Sequence, residues 1–158
     1  MAETGGSFQP AETVFLSYSH EDRKRALPII HILEQAGFAV WWDGLLEGGE
    51  RFSHRTEAAL EGAKAVVVLW SKASTASHWV HDEATRGRDR RCLVPLSLDG
   101  SEAPLGFRQF QVLDARPAKV KAGSSEMQAM LHAVPSVLAK NKDIKIETLN
   151  KLGFQTLG

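Results

Sequence analysis

Residues 65–70 read Ala65-Val66-Val67-Val68-Leu69-Trp70, with no charged or hydroxyl-bearing side chain on either alternating set. A strand with one wet face alternates apolar and polar residues, whereas a run apolar at every position has to be covered on both faces. Such strands belong to parallel sheets, whose crossover connections lay helices over both sides. This one segment therefore points to an α/β domain. At 158 residues, 43% of them hydrophobic, the chain has the size and apolar content for one domain with a sizeable core.

The rest of the chain fits that class. Thr13-Val14-Phe15-Leu16-Ser17-Tyr18-Ser19 is a β-branched and aromatic run, expected as a first strand. Ala26, Ile29, Ile30 and Leu33 recur at helical spacing, and Gly37 sits where a helix would end. Pro28 interrupts that pattern, so a kink or an irregular first turn is expected. Phe38 to Trp42 reads as a second strand. The glycine-bearing stretch Asp43 to Phe52 follows as a mobile loop, and a short helix capped by Ser53 closes at Gly62. Ser77 is a natural cap for a helix carrying Trp79 and Glu83. Cys92 to Leu96 and Phe110 to Asp114 complete five strands, the last at an edge. A final helix is expected from Ser125, with Gln128 completing a capping box and Met127, Met130, Leu131, Val134 and Leu138 as its stripe. The predicted architecture is a flavodoxin-like five-stranded parallel sheet of order 2-1-3-4-5 with helices on both faces. Residues 1–11 are expected to be a flexible segment, 12–140 the domain, and 141–158 a tail, linker or the start of a further domain.

In that strand order the chain reverses between strands one and three, and ligands bind outside the carboxyl ends of the strands at such a switch point. The loop after strand one, Tyr18-Ser19-His20, and the loop after strand three, from Ser71, meet there. Strand two ends beside them with Asp43, and Glu83 lies early in the helix after strand three. Trp79 and Glu83 are four residues apart, so a ring and a carboxylate share one helical face. The competing account of Glu83 is an exposed ion pair with Arg86, three residues on.

Three motifs in this order carry a resemblance: Val14-Phe15-Leu16-Ser17-Tyr18-Ser19 with Glu21-Asp22, then Val40-Trp41-Trp42-Asp43 with Glu47-Gly48, then Trp79-Val80-His81-Asp82-Glu83. Over about residues 12–140 the chain resembles a Toll/interleukin receptor (TIR) domain of the bacterial kind. The resemblance implies the flavodoxin-like fold, and in the NAD-cleaving branch it implies an essential glutamate at Glu83. It also implies a loop bearing Phe52 that frames the site. Adaptor members often carry a proline in that loop, and none lies between Asp43 and Phe52. The double tryptophan Trp41-Trp42 departs from the family pattern. The expected activity is hydrolysis of NAD at the nicotinamide–ribose bond, giving ADP-ribose or a cyclic variant, with NAD as substrate and no resident cofactor. The expected partners are other TIR protomers in a homo-oligomer or filament. The expected setting is cytoplasmic immunity or signalling, with antiphage defence and interference with a host both open. The alternative is a non-catalytic adaptor acting by TIR–TIR contact through residues 44–52.

The chemistry suits a site with one carboxylate. Breaking an N-glycosidic bond builds positive charge on ribose, as in glycosidase transition states. Nicotinamide leaves a cation as a neutral pyridine and needs no acid. Around catalytic Glu83, the expected substrate-binding residues are Ser17, Tyr18, Ser19, Asp43, Phe52, Ser71 and Trp79. For Phe52, a core position and a stacking face are equally open. Trp79 reads as a packing wall, Asp43 as a residue that orders its own loop, and Ser17 to Ser19 as a plain strand end or a phosphate cradle.

Other classes are poorly served. Equal numbers of basic and acidic residues, 19 of each, give no bulk attraction to nucleic acid or a membrane surface. No apolar run approaches a membrane span, and residues 1–10 lack the basic start and apolar core of a signal peptide. A lone Cys92 fits a reducing compartment and reads as a small buried hydrophobe. No metal is expected, although His78 and His81 are three apart. A phospho-receiver would want aspartate where Ser71 stands, and there is no P-loop.

Overall fold

A computed structural model describes residues 13–42 and 54–134. β1 (Thr13–Ser17) leads through a 3-10 turn, His20–Asp22, into α1 (Arg23–Gln35). β2 (Ala39–Trp41), α2 (His54–Gly62), β3 (Ala65–Trp70), the one-turn α3 (Lys72–Thr75), α4 (His78–Asp89), β4 (Leu93–Ser97) and β5 (Leu113–Asp114) follow. A helix α5 over residues 125–134 closes the described chain. The strands form one parallel sheet in the order β2-β1-β3-β4-β5. This is the predicted doubly wound architecture.

The alternation within β3 shows why its sequence is apolar throughout. Ala65, Val67 and Leu69 join one core with α1 and α5 residues such as Ile29, Leu33, Met127 and Met130. Val66, Val68 and Trp70 join a second core with Leu60 of α2 and Val80 and Ala84 of α4. All six β3 residues are essentially inaccessible. β3 is thus the shared wall of two cores, which is the condition its composition demanded.

Several local expectations are met, and others are corrected. α1 ends in a Schellman motif: Phe38 N–H donates to Leu33 O at 3.2 Å and Gly37 N–H to Glu34 O at 3.0 Å, with Gly37 at φ 98°. α1 runs through Pro28, which is exposed along with Lys24, so water can meet the carbonyl that proline leaves without an intrahelical donor. The stretch after β3 is a helical turn, not a loop, because Ser71 and Ser74 cap each other reciprocally. The cap of α5 is Ser124, whose Oγ accepts from Met127 N–H at 3.1 Å, one residue before the predicted Ser125. β5 is two residues long, shorter than expected, since only Leu96 and Ser97 of β4 pair with it. That ladder begins just past Pro95, which lacks a donor. Ser53, Leu138 and the segments 1–11 and 141–158 lie outside the described residues.

Candidate active site

The carboxyl ends of β1 and β3 carry the structure's central polar contact. Ser17, the last residue of β1, is paired with Val68 of β3 and completely buried. Its hydroxyl donates to Glu83 Oε1 at 2.7 Å. Glu83 sits in the second turn of α4, a helix started by Ser77, whose side chain accepts from Val80 N–H at 3.4 Å. A strand end and a helix, 66 residues apart in sequence, therefore meet through a hydroxyl and a carboxylate.

Glu83 and Trp79 line a cleft of ≈ 200 Å³ together with Tyr18, Ser19, His20, Glu21, Thr56 and Ser77. This is the predicted switch-point crevice. The 3-10 turn that carries His20 and Glu21 is fixed to the strand end, Asp22 N–H donating to Ser19 O at 2.8 Å. Asp22 in turn accepts from the Ser71 hydroxyl at the start of α3, so the loops after β1 and β3 are tied together below the cleft.

The predicted residues divide accordingly. Tyr18, Ser19, Trp79 and Glu83 are brought together around the cleft. Ser17 stands beneath it, facing Glu83 and enclosed by protein. Ser71 is buried and occupied with capping α3 and holding Asp22, so it is not among the cleft's lining residues. Asp43 and Phe52 lie outside the described residues. Glu21, Thr56 and Ser77 line the cleft in addition to the expected residues. Glu21 stood in the polar stretch after β1, but Thr56 carried no sequence signal, since only packing of α2 brings it there.

The competing account of Glu83 has a specific answer. Arg86 forks onto Glu61 of α2, with Nε 3.2 Å from Oε2 and the second guanidinium nitrogen on Oε1. His81, three residues from His78, has Nε2 2.7 Å from Thr75 O and its ring edge-on to Trp70 and Phe107. A ring nitrogen facing a carbonyl is a donor, so His81 packs and braces where its spacing hinted at a ligand. Among the described residues no group of three or more His, Cys, Asp or Glu is arranged to hold a metal ion. Cys92 is buried and its thiol is pushed up by burial, with Arg90 opposing, which leaves it a poor nucleophile.

A family model described as TIR domain matches residues 14–131. The chain belongs to the TIR domain family. Among solved structures, this TIR domain is similar to that of the Toll-related receptor TRR-2 from Hydra magnipapillata. The two are 19% identical with a TM-score of 0.57, covering 64% of this chain and 82% of that one. It is also similar to a metazoan TIR-STING receptor from C. gigas in complex with 2',3'-cGAMP, at 24% identity and a TM-score of 0.63. That match covers 77% of the present chain and 38% of the receptor's. At these identities the likeness is one of fold. No curated protein matches the chain. Among the described residues of this TIR domain, no helix is long and apolar enough to cross a membrane.

Proposed function

We propose that this TIR domain is an NAD glycohydrolase in which Glu83 stabilises the ribosyl cation formed as nicotinamide departs. The observation that carries the reading is a glutamate held by a buried serine at the edge of a cleft at the sheet's switch point. In the reaction the C1′–N bond breaks and its electron pair goes to the pyridine nitrogen. Nicotinamide leaves neutral, and the cationic ribose is captured by water, which then loses a proton. Capture by a nitrogen of the adenine gives a cyclic product instead.

A carboxylate about 4 Å from the developing charge contributes roughly 4 kcal/mol at an effective dielectric near 20, about three decades in rate. That is an upper guide, because the cationic pyridinium of the ground state is attracted too and only the difference accelerates the reaction. Trp79, one turn before Glu83, lines the same cleft. The ≈ 200 Å³ bounded by the described residues falls below the about 300–1,000 Å³ of sites that enclose a drug-sized ligand. It suits the ribosyl end of a dinucleotide, with the adenosine half held by further surface. Self-association with other TIR protomers, in an oligomer or filament, would supply such surface and make activity depend on assembly.

Incubation with NAD and chromatographic detection of nicotinamide tests the reading, with Glu83→Ala beside the wild type. Release by the wild type and its loss in the variant is expected. Equal release by both proteins removes Glu83 from the mechanism. No release by either, even when artificially clustered, leaves the non-catalytic adaptor reading, in which TIR–TIR contact is the whole function.

A further inference from the structure

The Ser17 hydroxyl has more to do than close a strand. From its buried place at the end of β1 it donates to Glu83 Oε1 at 2.7 Å, and Ser17 itself is not among the residues lining the cleft. We infer that Ser17 is a positioning residue: its hydrogen bond holds the Glu83 carboxylate ionised and fixes its direction, without touching substrate. The inference rests on the functional reading above for its effect on catalysis, but its effect on the carboxylate stands on geometry alone.

Glutamate has three side-chain torsions, and one in the second turn of a helix can swing outward to solvent or toward a cation a turn away. Two fixed points oppose that here. Arg86 is committed to Glu61. Ser17 is locked in register between β1 and β3, so its hydroxyl is a donor that cannot follow the carboxylate if it turns away. A hydrogen bond donated to the charged form favours that form and lowers the group's pKa. This matters because another acid lines the same cleft. Among the described residues, the titratable groups that line the cleft across from α4 are Tyr18, His20 and Glu21, and α2 brings the uncharged Thr56. β1, β3 and β4 contribute no ionisable side chain of their own, and Lys72 is the ionisable residue of α3. Glu21 disfavours a second charge nearby, and the Ser17 donor works in the opposite sense.

The test compares wild type, Ser17→Ala and Ser17→Thr in full-length protein labelled with carbon-13 at the glutamate carboxyls. The Glu83 resonance is assigned by its absence from Glu83→Gln. Titration should show the Glu83 pKa about one unit higher in Ser17→Ala. His20 and Glu21 are common to both proteins, so the difference isolates the hydroxyl. In NAD cleavage, Ser17→Ala should lower kcat about tenfold with KM little changed, and the acid limb of the kcat/KM profile should move up with the titration. Ser17→Thr keeps the hydroxyl and should restore both. Thermal melting identifies a variant that has lost its fold, and if threonine does not fit, Ser17→Ala alone decides. A Glu83 titration that coincides in wild type and Ser17→Ala overturns the assignment of Ser17. A wild type that releases no nicotinamide overturns the NAD reading instead, and the titration still decides what the hydrogen bond does.

Discussion

At the scale of single residues, what distinguishes Glu83 from an ordinary helical glutamate is the set of groups that keep it from behaving like one. Its spacing to Trp79 was legible in the sequence, because i and i+4 share a helical face. Its anchor was not, because nothing in sequence connects Ser17 with a residue 66 positions away. Hydroxyls at strand ends, as at Ser17 and Ser71, suit ligand contact as well as internal bonding. The structure gives both hydroxyls protein partners, Glu83 for one and Asp22 for the other. Cys92 makes a separate residue-scale prediction. Burial raises its thiol above the value of a free cysteine, with Arg90 opposing. The folded state therefore keeps the proton where an unfolded thiol, near pKa about 8.5, has begun to lose it. The folded pKa is the higher one, so this contribution to stability is complete below the unfolded pKa and is lost as pH rises through the folded value. Iodoacetamide at pH 8 should label native Cys92 far more slowly than the same cysteine in denaturant. Equal rates in the two states would show an accessible thiolate.

At the scale of elements, α4 is the piece whose placement matters most, and a glycine sets how close it lies to the sheet. A Cβ on Gly87 would stand 2.8 Å from Val66 Cβ and 3.1 Å from Leu93 Cδ1. The Val66 Cβ is fixed to the backbone of β3 and cannot rotate aside. Gly87→Ala gains about 1 kcal/mol in helix propensity but incurs an overpacking cost of about 1–3 kcal/mol, and the collision with a backbone-fixed atom puts it at the upper end. Thermal unfolding should show a lower Tm, by about 2–4 °C for each kcal/mol lost in a chain of this size. A Tm at or above the wild type would mean that α4 can lift from the sheet freely. Elements with a strong period were readable: β3 from its unbroken apolar run, α1 and α5 from their stripes. Those decided by local polar pairing were not. The turn α3 exists because two serines three apart satisfy each other, and in sequence that stretch is indistinguishable from a polar loop. Two adjacent serines compete to cap α5, and only the geometry selects Ser124.

At the scale of the whole molecule, the sheet order brings the ends of β1 and β3 side by side, and α4 leans over them. The catalytic proposal uses nothing that this topology does not already supply. What the described residues of one chain enclose, ≈ 200 Å³, has room for only part of the dinucleotide that the proposed reaction needs. This favours a site whose activity grows with self-association. Specific activity should therefore rise with protein concentration in step with the assembled fraction seen by light scattering. Activity that stays flat across that range, with the protein monomeric, would mean that one chain suffices. The central claim lies beneath both possibilities: a single negative charge lowers the barrier to ribosyl transfer. Its most direct test is the single-turnover rate of NAD cleavage by Glu83→Gln beside the wild type, under identical assembling conditions. Glutamine keeps the shape and an oxygen for the Ser17 hydroxyl but removes the charge. The predicted result is a fall of up to about three decades in rate, with NAD affinity changed far less. A Glu83→Gln protein that turns over NAD at the wild-type rate would contradict the account.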